Sequence, residues 1–336
     1  MSGLSWDWSL DEIKKDKPVK VFTTFSCGGG SSLGYKRAGF DVIGNVEIDP
    51  KMNALYVLNN KPKYNYFEDL REFNKREDLP EELYKLDILD GSPPCTSFSS
   101  AGVRERDWGK VKKFREGQVS QTLDDLFSVF LDTVEKLRPR IVIAENVVGI
   151  IKKNARGYVN EVFNRFRALG YKVQVFSLNS AMMDTPQARH RVFFIANRCC
   201  FPALKLDFKG APILFGDVRT NEGVEVTAPA QAALIMQATE KDFGLDDVVE
   251  RLSGHRKYFG CQIVHDNQVC FTVTGAGSFF RYADRKLFAP DDFRRVQTFP
   301  RDYDFKGENV QYVCGMSVPP NMMANVAGEV WKQWLE

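Results

Sequence analysis

The sequence predicts an α/β protein: a doubly wound, mostly parallel sheet, then a smaller and less regular unit, then a terminal helix returning to the sheet. Three observations carry this expectation. Strand-like and helix-like segments alternate from residue 19 to about residue 197, the pattern that parallel crossovers impose. One segment, "RIVIAENV" (140–147), is almost wholly apolar, as a strand covered on both faces must be. A glycine-rich turn, "SCGGGSS", follows the first strand, where the backbone must reverse sharply into a helix.

Taken in order, "VKVFTTF" (19–25) is β-branched and aromatic and reads as a strand, with a helix after the turn as far as Ala38. "DVIGNVEI" (41–48) is the second strand, and "PKMNALYVLNN" opens a helix with Pro50 in its first turn. "LDILDG" is a third strand. Leu123, Leu126, Phe127, Phe130, Val134 and Leu137 fall on one face of a helix. The apolar strand 140–147 follows, then a helix over Tyr158–Leu169 with Val159, Val162, Phe163 and Phe166 on one side. "YKVQVFSLNS" and "HRVFFIAN" are two further strands. Past Asn197 the alternation stops, and short mixed segments with several glycines take over. The end, "PPNMMANVAGEVWKQWLE", is a helix opened by Pro319 and Pro320. The expected division is 1–197 for the sheet domain, 198–300 for a small domain, and 301–336 for the return.

Composition bounds the function. The 336 residues bury a large core. Lys+Arg 46 against Asp+Glu 44 leaves no bulk charge to hold a polyanion, so any basic surface must be local. Seven irregularly spaced cysteines do not form a disulfide framework. The amino terminus lacks an apolar signal core and no run is long enough to span a membrane. A reduced, soluble, cytoplasmic protein is expected.

The chemistry gathers at strand ends. Gly28, Gly29 and Gly30 let a ligand approach the backbone at a helix start, though such a turn alone is a weak signal. Glu47, about 20 residues on at the end of the second strand, suits the two hydroxyls of a ribose better than a bare surface charge. NAD, FAD and S-adenosylmethionine remain open at this point. Cys95 ends "GSPPC" and is followed by Thr96, Ser97, Ser99 and Ser100, unlike a core cysteine; two prolines would stiffen the backbone that aims it. Glu145 leaves the next buried strand, where partial desolvation lets a carboxyl hold a proton. A nucleophile beside a proton donor and a nucleoside cofactor is the arrangement read from the residues.

The ordered set "FSCGGGSSLG", "VEID", "EDLR", "GSPPCTSFS", "ENV", "QARHRV", "RRVQTFP" and "GMSVPP" resembles the DNA cytosine-5 methyltransferases of bacteria and phages, over nearly the whole chain from about residue 20. The resemblance implies the S-adenosylmethionine-dependent methyltransferase fold with an irregular target recognition domain, and S-adenosylmethionine as cofactor. It implies that Cys95 attacks carbon 6 of a cytosine, Glu145 holds the exocyclic amine and ring nitrogen 3, and Arg191 with Arg189 meets the base carbonyl and adjoining backbone. Phe25 would lie on the adenine, Gly28–Gly30 face the methionine part, Glu47 take the ribose, Ile48 the adenine face and Asp69 the adenine amine, with Pro93 and Ser317 at the border. Taken alone, Asp69 reads equally well as a helix N-cap. The loop 101–118 would close on DNA, with Arg104, Arg106, Lys110, Lys112 and Lys113 available for phosphates. Arg256, Lys257, Arg281 and Arg285 would contact DNA from the recognition region, while Arg295 would buttress the small domain. His255, Cys261, His265 and Cys270 match no recurrent ligand spacing, and no metal is expected.

The implied partners are double-stranded DNA and, in a restriction-modification system, a cognate restriction endonuclease; the chain is expected to act as a monomer. A relative acting on tRNA cytosine, or one that only binds DNA, would share the scaffold. Two positions depart from the family pattern. Cys27 stands where a glycine is usual in the cofactor turn, and Met316 where an amide is usual. If residue 27 needs a positive φ, cysteine strains it.

Overall fold

The computed structural model describes residues 3–94, 111–112, 121–122, 126–151, 156–257 and 260–336. In chain order the elements are β1 (Lys20–Thr24), α1 (Gly30–Arg37), β2 (Asp41–Val46), α2 (Pro50–Asn60), β3 (Tyr64–Tyr66), α3 (Leu70–Lys75), β4 (Ile88–Gly91), β5 (Val111–Lys112), β6 (Gln121–Thr122), α4 (Leu126–Leu137) and β7 (Ile141–Val147). There follow α5 (Arg156–Ala168), β8 (Lys172–Asn179), β9 (His190–Asn197), α6 (Phe215–Val218), α7 (Pro229–Ile235), α8 (Leu245–Ser253), β10 (Cys261–Val264), β11 (Ser278–Arg281), α9 (Pro290–Val296), α10 (Val310–Met316) and α11 (Pro320–Val330).

A seven-stranded sheet runs β3-β2-β1-β4-β7-β9-β8. The first five strands are mutually parallel, and β9 is antiparallel to both β7 and β8. The chain leaves β1 toward β2 and β3, then crosses back to β4 and β7. That reversal puts the switch point between β1 and β4, and ligands of such sheets bind outside the carboxyl ends there. The expected α/β, mostly parallel architecture is what is found. β4 and β7 are buried on both faces because α1 and α4 cover opposite sides. The sequence shows why α4 comes close: a Cβ at Gly91 would stand 2.5 Å from the Phe130 ring and 2.7 Å from Thr24 Oγ1. Leu126, Phe127, Phe130, Val134 and Leu137 of α4, with Val162 and Phe166 of α5, fill the core against Leu89, Val142 and Phe194.

The chain separates into two compact units. The larger comprises Ile13–Asn179, His190–Asp207 and Met323–Glu336 and contains the sheet; the smaller comprises the segment ending at Glu12, Ser180–Arg189 and Phe208–Met322. These limits differ from the expected 1–197, 198–300 and 301–336. Residues 198–207 stay with the sheet because Trp334 donates to the Pro202 carbonyl and Gln333 bonds the Lys205 backbone at both N–H and C=O. Residues 301–322 stay with the smaller unit because Gln297 Nε2 donates to the Ser317 carbonyl and Asn321 N–H to Thr298 Oγ1. The leading segment joins it through Trp8, which is buried and donates its indole N–H to the Thr298 carbonyl at 2.8 Å. Within the smaller unit β10 and β11 pair in parallel, and Ile235, Leu245, Val248, Ile263 and Phe280 make a core of their own. No described helix is long and apolar enough to cross a membrane.

Candidate active site

The turn after β1 is built from left-handed residues. Phe25 has φ 53°, Cys27 47° and Gly29 86°. Glycine is favoured at 29 by its φ of 86°, and a Cβ there would also press on Asn60 Nδ2 at 2.2 Å. Cys27 therefore does occupy a positive-φ position, the strained situation that the sequence raised. The turn is held from below by Glu47: Oε2 accepts the Cys27 N–H at 2.7 Å and Oε1 the Asp49 N–H at 2.8 Å. Burial pushes the Glu47 carboxyl up to about 7, against the opposing pull of those backbone bonds. Asp49 in turn caps α2, accepting from the N–H groups of Lys51 and Met52.

Above this turn opens a pocket lined by Phe25, Val46, Glu47, Ile48, Glu68, Asp69, Leu70 and Leu126. Four of these, Phe25, Glu47, Ile48 and Asp69, were expected to hold a cofactor. The other four went unnoticed, although Val46 and Leu70 flank residues already singled out and Leu126 belonged to the apolar face of its helix. Asp69 lines this pocket and also caps α3, accepting the Arg71 N–H at 2.8 Å. Arg71 Nη1 reaches its other oxygen at 3.1 Å. An aromatic wall, carboxylates at two edges and a glycine backbone suit a nucleoside with a flexible tail, and S-adenosylmethionine fits those features.

Two strands along, Glu145 on β7 meets Arg191 on β9, with Nε 2.8 Å from Oε1. Burial lowers the Arg191 pKa while Glu145 opposes that shift. Asn146, of the "ENV" segment, donates from Nδ2 to the Pro93 carbonyl at 3.1 Å. That bond ties the buried Pro93, two residues before Cys95, to β7. Cys95 itself lies outside the described residues, as do Arg104, Arg106, Lys110 and Lys113; of Lys112 only the backbone, in β5, is described.

Most of the remaining expected contact residues have partners within the protein. Arg189 belongs to the smaller unit, is 3% exposed, and spends its guanidinium on the Val273 and Gly315 carbonyls, both at 2.8 Å. It braces backbone rather than presenting itself to a base. Arg281 is fully buried, 2.9 Å from Asp284 and 3.5 Å from Asp292, and so cannot reach DNA without unfolding its surroundings. Arg256 is exposed, but Asp246, Asp247 and Glu250 of α8 surround it at 2.5 to 3.0 Å and offset its charge. Lys257 is exposed; Arg285 is half-buried and stacks on the Tyr282 ring at 3.9 Å. Ser317 is buried in the smaller unit and donates to the Val313 carbonyl. Arg295 reaches Asp291 and the Val218 carbonyl, within the smaller unit.

The family model for C-5 cytosine-specific DNA methylases matches residues 19–210. The Type II methyltransferase M.Sau96I of Staphylococcus aureus is 28% identical, over 94% of this chain and 78% of the relative. The Type II methyltransferase M1.HphI of Haemophilus parahaemolyticus is 26% identical, over 92% and 85%. Among solved structures, a protein assigned as a DNA modification methyltransferase encoded within an Escherichia coli prophage superposes with a TM-score of 0.69 at 19% identity, covering 95% of this chain and all of that one. At that identity the superposition speaks for the fold.

Proposed function

The chain belongs to the C-5 cytosine-specific DNA methylases, and from that premise we propose that Cys95 forms a covalent bond to carbon 6 of a cytosine swung out of duplex DNA. It is a DNA cytosine-5 methyltransferase whose methyl donor is S-adenosylmethionine. The donor supplies an electrophilic methyl group on a sulfonium. Carbon 5 of cytosine is too weakly nucleophilic to take that group directly. Addition of the Cys95 thiolate across the 5,6 double bond makes carbon 5 part of an enamine, and Glu145 holds the ring nitrogen 3 and the exocyclic amine as charge develops. Arg191 keeps Glu145 oriented and reaches toward the base carbonyl. After transfer, loss of the proton at carbon 5 and departure of the thiolate restore the double bond. A stacked base cannot enter such a site, so the target is flipped out, a cost of a few kcal/mol.

The observation that carries this reading is one cavity lined by Phe25, Glu47, Ile48 and Asp69 in the same unit as the Glu145–Arg191 pair. Gly28 and Gly30, beside Gly29, are assigned to the methionine part. The names of M.Sau96I and M1.HphI as Type II methyltransferases support recognition of a short duplex sequence in a restriction-modification setting. Nucleoside mass spectrometry of DNA from cells expressing the chain, beside a Cys95→Ala control, tests the reading. New 5-methylcytosine that disappears in the control is expected. Its absence from cells holding folded protein, with modified cytosine in purified tRNA instead, would overturn it.

A further inference from the structure

Asp90, on β4 five residues before Cys95, has no part in the chemistry above. It is 1% exposed, and both carboxylate oxygens face α1: Ser31 Oγ donates to Oδ2 at 2.9 Å and the Tyr35 hydroxyl to Oδ1 at 3.0 Å. Its own carbonyl accepts from Thr24 Oγ1 on β1 at 3.2 Å. Ser31 lies in the first turn of the helix that starts at Gly30, so a single carboxylate bolts the start of that helix to the strand beneath it. In the β4–β7 register Asp90 stands opposite Ile143, so Asp90 and Glu145, two residues further along β7, share one face of the sheet. Sealing a carboxyl this completely is expensive unless every acceptor is used, and a hydrophobic residue would fill the space at less cost.

We propose that Asp90 is a positioning residue for methyl transfer, locking the helix behind the cofactor turn onto the strand that leads toward Cys95. The inference rests on the reading of Phe25–Gly30 as the cofactor turn. Ionised Asp90 accepts from both hydroxyls; a protonated carboxyl must donate to one of them and loosens its grip on α1. Burial pushes Asp90 up to about 7, opposed by the bonds from Ser31 and Tyr35 and reinforced by the charge of Glu145. The groups facing it are Ser31 and Tyr35 from α1, Tyr56 from α2, Thr24 from β1 and Glu145 from β7. Donor binding should therefore tighten as pH rises through neutrality. Glu47 contributes a slope in the same range, so the informative quantity is the part of the slope that Asp90 removes when replaced.

The test is calorimetric titration of S-adenosylmethionine into the wild type, Asp90→Asn and Tyr35→Phe, below and above neutrality, with steady-state kinetics and cofactor-free melting on the same proteins. Asp90→Asn should raise the Kd and the KM for the donor by roughly tenfold, about 1.4 kcal/mol, while kcat at saturating donor changes little. It should also flatten part of the pH dependence, and Tyr35→Phe should move Kd the same way by less. An Asp90→Asn protein with a lower melting temperature but wild-type Kd, KM and pH dependence would overturn the inference, leaving Asp90 a packing group. A wild type that binds no donor would overturn it together with the cofactor-turn reading.

Discussion

Arg191 Nε lies 2.8 Å from Glu145 Oε1, and the two side chains are diagonal neighbours on antiparallel strands, since Glu145 pairs with Phe193 and Arg191 with Val147. Diagonal neighbours on one face are within reach of a long side chain, so sheet register alone delivers the guanidinium to the carboxylate. Their side chains are 14% and 10% exposed. Breaking such a pair from one side leaves a poorly solvated charge, costing roughly 3 kcal/mol. Arg191→Ala should accordingly lower both stability and turnover. Glu145→Gln keeps the shape and removes the charge; kcat should fall by about a hundredfold or more with donor affinity near wild type. A double-mutant cycle on thermal stability should show coupling of about 1 kcal/mol or more; additive losses would mean the ion pair is incidental.

The second prediction concerns Glu47. Its folded carboxyl is pushed up to about 7 from an ordinary 4.5. Between those values the native protein holds a proton that the unfolded chain has released, so the native state binds more protons and stability falls as pH rises through that window. Glu47→Gln should flatten this loss, with an upper bound of roughly 3 kcal/mol from one pKa unit being about 1.4 kcal/mol. On the reading that Glu47 takes the ribose hydroxyls, donor binding should respond in the opposite sense, since the ionised carboxylate is the stronger acceptor. Urea midpoints and Kd measured across the window check both halves.

How far the sequence reached depends on what fixes each feature. The strands around 141–147 and 190–197 follow from unbroken apolar runs, and the cofactor turn from glycines next to a strand; these are local, and they were legible. Of the cavity residues, Glu47 was legible from its spacing after the glycine turn, whereas Phe25, Ile48 and Asp69 were reached only through the family resemblance. The direction of β9 was not legible, since an apolar strand reads alike in either sense. Arg189 and Arg281 were misassigned for a different reason. A motif arginine looks like a ligand contact until the partners of its guanidinium are known, and those of Arg189 lie 84 and 126 residues away. Asp90 passed unnoticed inside "LDILDG" because nothing local says that Tyr35 will reach it.

Cys27 gives the third prediction. At φ 47° a residue with a Cβ carries a penalty of roughly 1 kcal/mol or more, partly offset because glycine loses more chain entropy on folding. Cys27→Gly should thus gain about 0.5 kcal/mol in urea unfolding while keeping the N–H that Glu47 accepts. Cys27→Val, with a branched Cβ in the same conformation, should lose stability. If the glycine variant is less stable, then the cysteine side chain has packing contacts that outweigh the backbone strain.

The fourth prediction separates a buried arginine from a DNA contact. Arg281 sits between Asp284 and Asp292, with Nη1 donating to Thr220 Oγ1 at 3.1 Å. Asp292 is itself fully buried and accepts the N–H groups of Thr220 and Ala289, the latter at the start of α9. Burial raises the Asp292 pKa and Arg281 pulls it back, so the pair is mutually dependent. Arg281→Met should destabilise the smaller unit by roughly 3 to 5 kcal/mol, visible as an earlier melting transition. Salt dependence offers the contrast: each phosphate contact contributes about 0.9 to the slope of log affinity against log salt. Measured below that transition, the variant should keep the wild-type slope. A slope reduced by about one with unchanged melting would return Arg281 to the DNA interface and require the smaller unit to open around it.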